Sequence, residues 1–314
     1  MSLSYSFYRF LWDHKWVPER FSRNLYKRLG KLGDAPDAPF VRDFFGLQYH
    51  GNLNCNIDFN IYYYGAFEKP LLFFLRDTMN RLGSSSPLFV DIGANVGQHS
   101  LFMAAHGSQV HSFEPFEPVR AQLQRQIAAN NLQTITVHPL GLSNENTRLP
   151  FFAPTGNNVG IGSFDAGTTS KGNVSIGELE LIRGDDYFAS AGIERIDLMK
   201  IDVEGFEKLA LEGLQQSLRS ARPVIVCELT YGQSLSFQNI DDLRKHLPEN
   251  YQLFTFDKRK ADGTKDRRRD GQSRYSGEYK IVPLSALQSR GQDDVIACPD
   301  EKCALLPLQN LKGK

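Results

Sequence analysis

The apolar run Leu88-Phe89-Val90-Asp91-Ile92 passes straight into Gly93-Ala94-Asn95-Val96-Gly97 and then into a segment with helical periodicity. A short run this apolar reads as a strand covered on both faces, the habit of parallel sheets. Gly93 lets the backbone turn sharply without a Cβ clash, and Gly97 permits close packing or close ligand approach. Strand, glycine turn and helix in that order open a βαβ unit. Further strands are expected at residues 109–113, 134–139, 198–202, 223–228, 252–256 and 280–282. Helices are expected at 97–106, 118–130, 206–220 and 241–246. This alternation predicts an α/β fold with a doubly wound, mostly parallel sheet over residues 85–314.

Residues 1–84 read as an N-terminal helix and hairpin extension that covers the cofactor or acceptor site. Residues 7–31 mix aromatic and basic side chains, which suits an amphipathic helix packed on its own domain, with contact to a membrane surface as the alternative. Asp34-Ala-Pro-Asp-Ala-Pro is linker-like, because each proline disfavours helix in the residue before it. Residues 44–64 alternate like strands around a turn at Gly51-Asn52, and residues 68–82 form a helix. Two later stretches look irregular. Residues 149–174 are rich in Gly, Asn and Ser, and Asn157, Asn158, Gly160 and Ser163 offer groups suited to sugar hydroxyls, or else form a flexible surface loop. The basic run at residues 258–274 reads as a mobile solvated loop.

The 314 residues carry 36 Lys+Arg against 36 Asp+Glu, a formal net charge of zero. A neutral chain gains no long-range attraction to phosphate polymers, so nucleic acid is not an expected partner. Four scattered cysteines, Cys55, Cys227, Cys298 and Cys303, fit free thiols in a reducing compartment. No signal-peptide pattern or membrane-length apolar stretch is found, and a cytoplasmic location is the default expectation.

The residues beside the glycine turn narrow the ligand. A dinucleotide loop has G-x-G-x-x-G, which sets a bare helix N-terminus against a pyrophosphate. Here Asp91 precedes Gly93 and Ala94-Asn95 breaks the pattern, so an anion aimed into the turn would repel a diphosphate. A ligand bearing an ammonium and a sulfonium, such as S-adenosylmethionine, suits it instead. Glu114, at the end of the next strand, stands where a carboxylate accepts ribose hydroxyls; that position by itself fits NAD equally well.

Lys200, Asp202 and Glu204 alternate along a strand end and are expected to project to one side, opening onto the crevice at the strand C-termini. Such a cluster can orient an acceptor hydroxyl or take its proton; alternatively Lys200 pairs with Asp202 or Glu207 and only braces the strand. Glu228, ending the following strand, is the second choice as base. Asp202, Glu204 and Glu228 could hold a divalent metal, but no dedicated ligand spacing indicates one. His99 could serve as a base, with hydrogen-bonded packing the commoner role for a lone histidine.

On these motifs the sequence resembles the FkbM family of methyltransferases. The resemblance covers residues 44–228 and is carried by Asp91-Ile-Gly-Ala-Asn-Val-Gly97, Phe113-Glu114-Pro115, Gly141-Leu142-Ser143, Asn158-x-Gly160-x-x-Ser163 and Leu198-Met-Lys200-Ile-Asp202-Val-Glu204-Gly205-Phe-Glu207. It implies a class I Rossmann-like fold and a cofactor site at Asp91, Gly93, Asn95, Gly97 and Glu114, with Ser143 near the adenine. The implied activity is S-adenosylmethionine-dependent O-methylation of a hydroxyl on a sugar, glycan or secondary metabolite. The rivals are an NAD-dependent oxidoreductase, disfavoured by the absent G-x-G-x-x-G, and a non-catalytic cofactor-binding partner protein with the same fold. A nucleic-acid base methyltransferase usually needs an Asn/Asp-Pro-Pro-aromatic loop, and none occurs.

Overall fold

Pro18, held extended at φ −56°, ψ 140°, splits the first helical stretch into α1 (Leu3–Asp13) and α2 (Glu19–Lys31). The computed structural model describes residues 3–154, 162–164, 166–232, 235–260 and 263–312. Tyr26 and Leu29 of α2 are buried, whereas Phe7, Phe10, Trp16 and Phe21 stay exposed. Among the described residues no helix is long and apolar enough to cross a membrane.

An antiparallel hairpin follows, β1 (Pro39–Phe44) and β2 (Leu47–Asn52). Its turn is Phe45-Gly46, both at positive φ, and not Gly51-Asn52, which ends β2 opposite Phe40 and Pro39. Residues 56–64, expected as strand, form helix α3 (Asn56–Tyr64). The reason is tertiary: buried Asp58 accepts hydrogen bonds from the Tyr49 hydroxyl at 2.7 Å and the Asn52 amide at 2.8 Å, binding the helix to the hairpin. Helix α4 (Lys69–Leu82) then buries Leu71, Leu72, Phe74 and Leu75.

The sheet begins with β3 (Leu88–Ile92), α5 (Gln98–Ala105), β4 (Gln109–Phe113), α6 (Glu117–Ala129) and β5 (Ile135–His138). The chain then leaves it for a small three-stranded sheet of β6 (Gly141–Ser143), β7 (Thr147–Pro154) and β8 (Asn173–Arg183), in the order β6-β8-β7. The two ends of the segment expected to be irregular, residues 149–154 and 173–174, are therefore strand. It returns through α7 (Gly184–Ala191) to β9 (Leu198–Ile201), and the helix expected at 206–220 breaks at Leu214 into α8 (Glu207–Gly213) and α9 (Gln215–Ala221). The remaining elements are β10 (Val224–Tyr231), α10 (Ile240–Lys245), β11 (Tyr251–Phe256), α11 (Arg267–Ser276), β12 (Tyr279–Pro283), β13 (Gly291–Pro299) and β14 (Gln309–Asn310).

Nine strands lie in the order β14-β12-β11-β13-β10-β9-β3-β4-β5. The five from β10 to β5 are mutually parallel, and β13 runs antiparallel between β10 and β11. The doubly wound, mostly parallel sheet is as expected, with β13 and the two-residue β14 the strands the periodicity did not signal. Windings diverge between β3 and β9, so the ligand crevice is expected over their C-terminal ends.

Side chains alternate cleanly across the sheet. Phe89, Leu198, Val224 and Val226 join a core with Leu72, Phe74 and Phe102 of α4 and α5. Val90, Ile92, Met199, Ile225 and Cys227 face the opposite core, with Phe188, Leu211 and Leu218. Residues on both sides of position 84 share the first core. The β2 edge is satisfied by α6, since Gln126 exchanges hydrogen bonds with the His50 backbone and Asn130 with Gln48. The basic run is not a free loop: Lys258 and Arg259 pair with Asp294 and Asp293, and α11 packs along α4 with Lys69 bonded to the Tyr275 carbonyl. All four cysteines are free thiols.

Candidate functional site

Over the ends of β3, β4 and β9 a cleft is walled by Gly93, Asn95, Glu114, Phe116, Phe151, Phe164, Asp202 and Glu204. Its floor is two turns in backbone contact. Gly93 takes φ +80°, and a Cβ there would stand 1.8 Å from the Asp202 carbonyl oxygen, so only glycine fits. Gly97, at φ +85°, is required for packing instead, because its Cβ would meet Leu123 of α6 at 2.1 Å.

Glu114 is clamped at the head of the cleft. Its Oε2 accepts from the Asn95 amide at 2.9 Å and its Oε1 from the Phe116 amide at 2.8 Å. Burial pushes its carboxyl up to about 7, opposed by those two amides. Each oxygen keeps a lone pair for a ligand hydroxyl. Phe116, Phe151 and Phe164 stand beside it as an aromatic wall, with Phe116–Phe151 centroids 5.2 Å apart and Phe151–Phe164 4.9 Å.

Asp91 is fully buried two residues before Gly93, register partner of Lys200 on β9 and Ser112 on β4. Its Oδ2 accepts from the Ser100 hydroxyl at 2.6 Å, while Oδ1 has no hydrogen-bond partner. Burial raises the Asp91 carboxyl pKa and the neighbouring Lys200 ammonium lowers it. Asp91 lies beneath the cleft and does not line its wall; when ionised, its orphaned oxygen only accepts, which suits a cationic group and not a phosphate.

Lys200 is the hub. It is 3% exposed, and its Nζ donates to Asp202 Oδ2 at 2.8 Å. Burial pulls its pKa down, but Asp202, Asp91 and Glu68 outweigh this and hold the ammonium charged. Asp202 keeps access to solvent at 24% exposure. Glu204 does not join this row. The strand stops at Ile201, Glu204 turns into the left-handed region at φ 50°, and its carbonyl accepts from the Ser163 hydroxyl at 2.9 Å. Glu207 does not pair with Lys200 either; its Oε1 accepts from the Val203 and Gly205 amides and so holds that turn.

Glu228 faces the same side of the sheet as Lys200 and is register partner of Asp294 on β13. Asp202 first, then burial, pushes its carboxyl up to about 11. The oxygen set that Asp202, Glu204 and Glu228 could have offered is not formed; among the described residues Glu228 groups with Glu68 and Asp294 instead. Ser143 also sits elsewhere than expected. It is buried on β6, its hydroxyl bonded to Asn144 and its carbonyl against Gly213, outside the wall of the cleft. Asn157, Asn158 and Gly160 lie outside the described residues. His99 is buried on α5 with Nε2 unbonded, which does not match the expected hydrogen-bonded packing role.

Glu68, Asp294 and Lys258 carry chemistry that sequence reasoning missed. Glu68 precedes α4 at φ 47°, a conformation held by Gln98, whose amide bonds both the N–H and the carbonyl of Phe67. The available signal for Asp294 was Asp293-Asp294 leading into the apolar run Val295-Ile296-Ala297.

Residues 91–254, just over half of the chain, match the Methyltransferase FkbM domain. The chain is 31% identical over 160 residues to Methyltransferase sdnD of Sordaria araneosa, covering 42% of this chain and 62% of that one. It is 27% identical over 157 residues to Methyltransferase 1 of Beauveria bassiana, covering 45% and 63%. The matches thus span less than two thirds of these relatives. A crystal structure of Methyltransferase FkbM from Methylobacillus flagellatus aligns over 68% of this chain and 43% of its own, at 19% identity and a TM-score of 0.41. With Asp91, Gly93, Glu114, Lys200 and Asp202 all inside the matched span, the chain belongs to the FkbM methyltransferase domain family.

Proposed function

We propose that this protein is an S-adenosylmethionine-dependent O-methyltransferase whose acceptor is a hydroxyl on a sugar, glycan or secondary metabolite. The observation that carries the reading is the buried Asp91, with one unpartnered carboxylate oxygen, at the point where the sheet windings diverge. Asp91, Gly93, Asn95 and Glu114 would hold the cofactor, Glu114 through the ribose hydroxyls and Asp91 through cationic groups. When bound, the cofactor supplies an electrophilic methyl group on a sulfonium.

The chain's own residues do the rest. Asp202, partly open to solvent beside the cleft, accepts the proton that the acceptor hydroxyl gives up, and the Lys200 ammonium fixes the carboxylate in place. The aromatic wall of Phe116, Phe151 and Phe164 keeps water from the head of the cleft and offers flat faces to a base or a sugar ring.

Calorimetry with S-adenosylhomocysteine tests the cofactor half of the reading. Binding to the wild type, weakened at least about tenfold in Asp91→Ala and in Glu114→Ala, is the expected result. An absence of binding overturns it. Transfer of label from radioactive cofactor into alkali-stable ether linkages on a panel of glycans and glycosylated metabolites tests the acceptor half. Label found only on amines or carboxylates overturns that part.

A further inference from the structure

Glu68, Glu228 and Asp294 come from three distant parts of the chain, yet each places a carboxylate oxygen within 4.8 Å of the other two. Two independent constraints hold them there. Glu228 and Asp294 are paired by the antiparallel register of β10 and β13, so their side chains leave the same face of the sheet. Glu68 is delivered from above by the Gln98 clamp on Phe67.

A second observation points at the same spot. His99, on the first turn of α5, is buried with its side chain 9% exposed, and its Nε2 makes no hydrogen bond. That nitrogen lies 3.7 Å from Glu68 Oε2, too far for a bond. Burial and the Lys200 charge keep the ring neutral, so an imidazole able to offer a lone pair stands beside Glu68, at the edge of the three-carboxylate group.

The charges nearby do not close. Lys258 donates to Asp294 at 3.0 Å and Lys200 to Asp202 at 2.8 Å. Against these two ammonium groups stand five carboxyl groups, Asp91, Asp202, Glu68, Glu228 and Asp294, of which Glu228, pushed up to about 11, holds its proton. Clustered carboxylates with a neutral imidazole are the donor set of a divalent cation that accepts both oxygen and nitrogen.

We infer that Glu68, Glu228, Asp294 and His99 form a divalent-cation site beside the Lys200–Asp202 pair. The site's existence is independent of the methyl-transfer reading. Its role rests on that reading: a cation there neutralises the surplus charge and draws an acceptor hydroxyl toward the cleft, easing loss of its proton.

The test uses the full chain, stripped with chelator and titrated with Mn²⁺ in the absence of any cofactor. Electron paramagnetic resonance is expected to show one bound ion per chain, with imidazole nitrogen coupling in the spin-echo modulation. Glu228→Gln and Asp294→Asn are each expected to weaken binding at least about tenfold, roughly 1.4 kcal/mol. His99→Gln, which keeps most of the side-chain volume, is expected to erase the nitrogen coupling. Calorimetry of S-adenosylhomocysteine binding to the same samples checks the variants' folding and judges the cofactor reading separately. Wild-type protein that binds no more Mn²⁺ than Glu228→Gln, or binds it with no nitrogen coupling, overturns the inference.

Discussion

The carbonyl oxygen of Asp202 occupies the space a side chain on Gly93 would need, 1.8 Å from the position of its Cβ. The turn that ends β3 and the turn that ends β9 are thereby locked together, and the cleft rests on that contact. Gly93→Ala is expected to cost roughly 3 kcal/mol or more, because the obstacle is backbone and the residue sits at positive φ. Gly97→Ala shares the positive φ but meets only the movable Leu123 side chain, and is expected to cost less, roughly 1–3 kcal/mol. Urea denaturation of the two variants checks the ranking, which equal midpoints would contradict.

Lys200→Met leaves Asp91 and Asp202 without their shared counter-charge. The expected loss is roughly 3–5 kcal/mol, the cost of breaking a buried pair from one side. Adding Asp91→Asn should restore part of it. A double-mutant cycle by chemical denaturation reads the coupling, and strict additivity would show that the two do not interact.

Asp202→Asn keeps the shape of the side chain and removes its basicity. Turnover is expected to fall roughly 10²–10⁴-fold while S-adenosylhomocysteine affinity changes by less than about threefold. Paired steady-state kinetics and calorimetry separate the two, and unchanged turnover would remove Asp202 as the base.

Glu114 and Glu207 are each pushed up to about 7 by burial, from an ordinary value of 4.5. The native chain therefore keeps protons there that the unfolded chain has already released. Their contribution to stability is complete below about 4.5 and is lost as pH rises through about 7. Arg120 and Asp91 act on Glu114 in opposite senses, and Asp202 acts on Glu207 in the raising sense. The melting temperature of Glu114→Gln should show a shallower fall between about pH 5 and 7.5 than the wild type. For the ligand the sign reverses: an ionised Glu114 accepts hydroxyls better, so S-adenosylhomocysteine affinity should rise across the same window and be flat in Glu114→Gln.

The five parallel strands and the turn after β3 were legible because local chemistry over-determines them. Apolar runs such as 88–92 and 223–227 have no other stable placement, and a left-handed turn closed against backbone admits only glycine. Asp91, Glu114, Lys200 and Asp202 could be placed in the fold for the same reason: each is at or beside the end of a recognisable strand. Where the pattern was read as continuing past its strand, at Glu204, one left-handed residue redirected the chain.

Only the tertiary structure decided the rest. The helix at 56–64 depends on Asp58 finding Tyr49, and the fixed course of Lys258 and Arg259 depends on Asp293 and Asp294 of a strand that periodicity did not reveal. The grouping of Glu68, His99, Glu228 and Asp294 has no sequence spacing to betray it, because its members are as many as 226 positions apart. Sequence periodicity specifies which side of its own element a residue faces; which residues then meet is set by strand order and by the helices laid over the sheet.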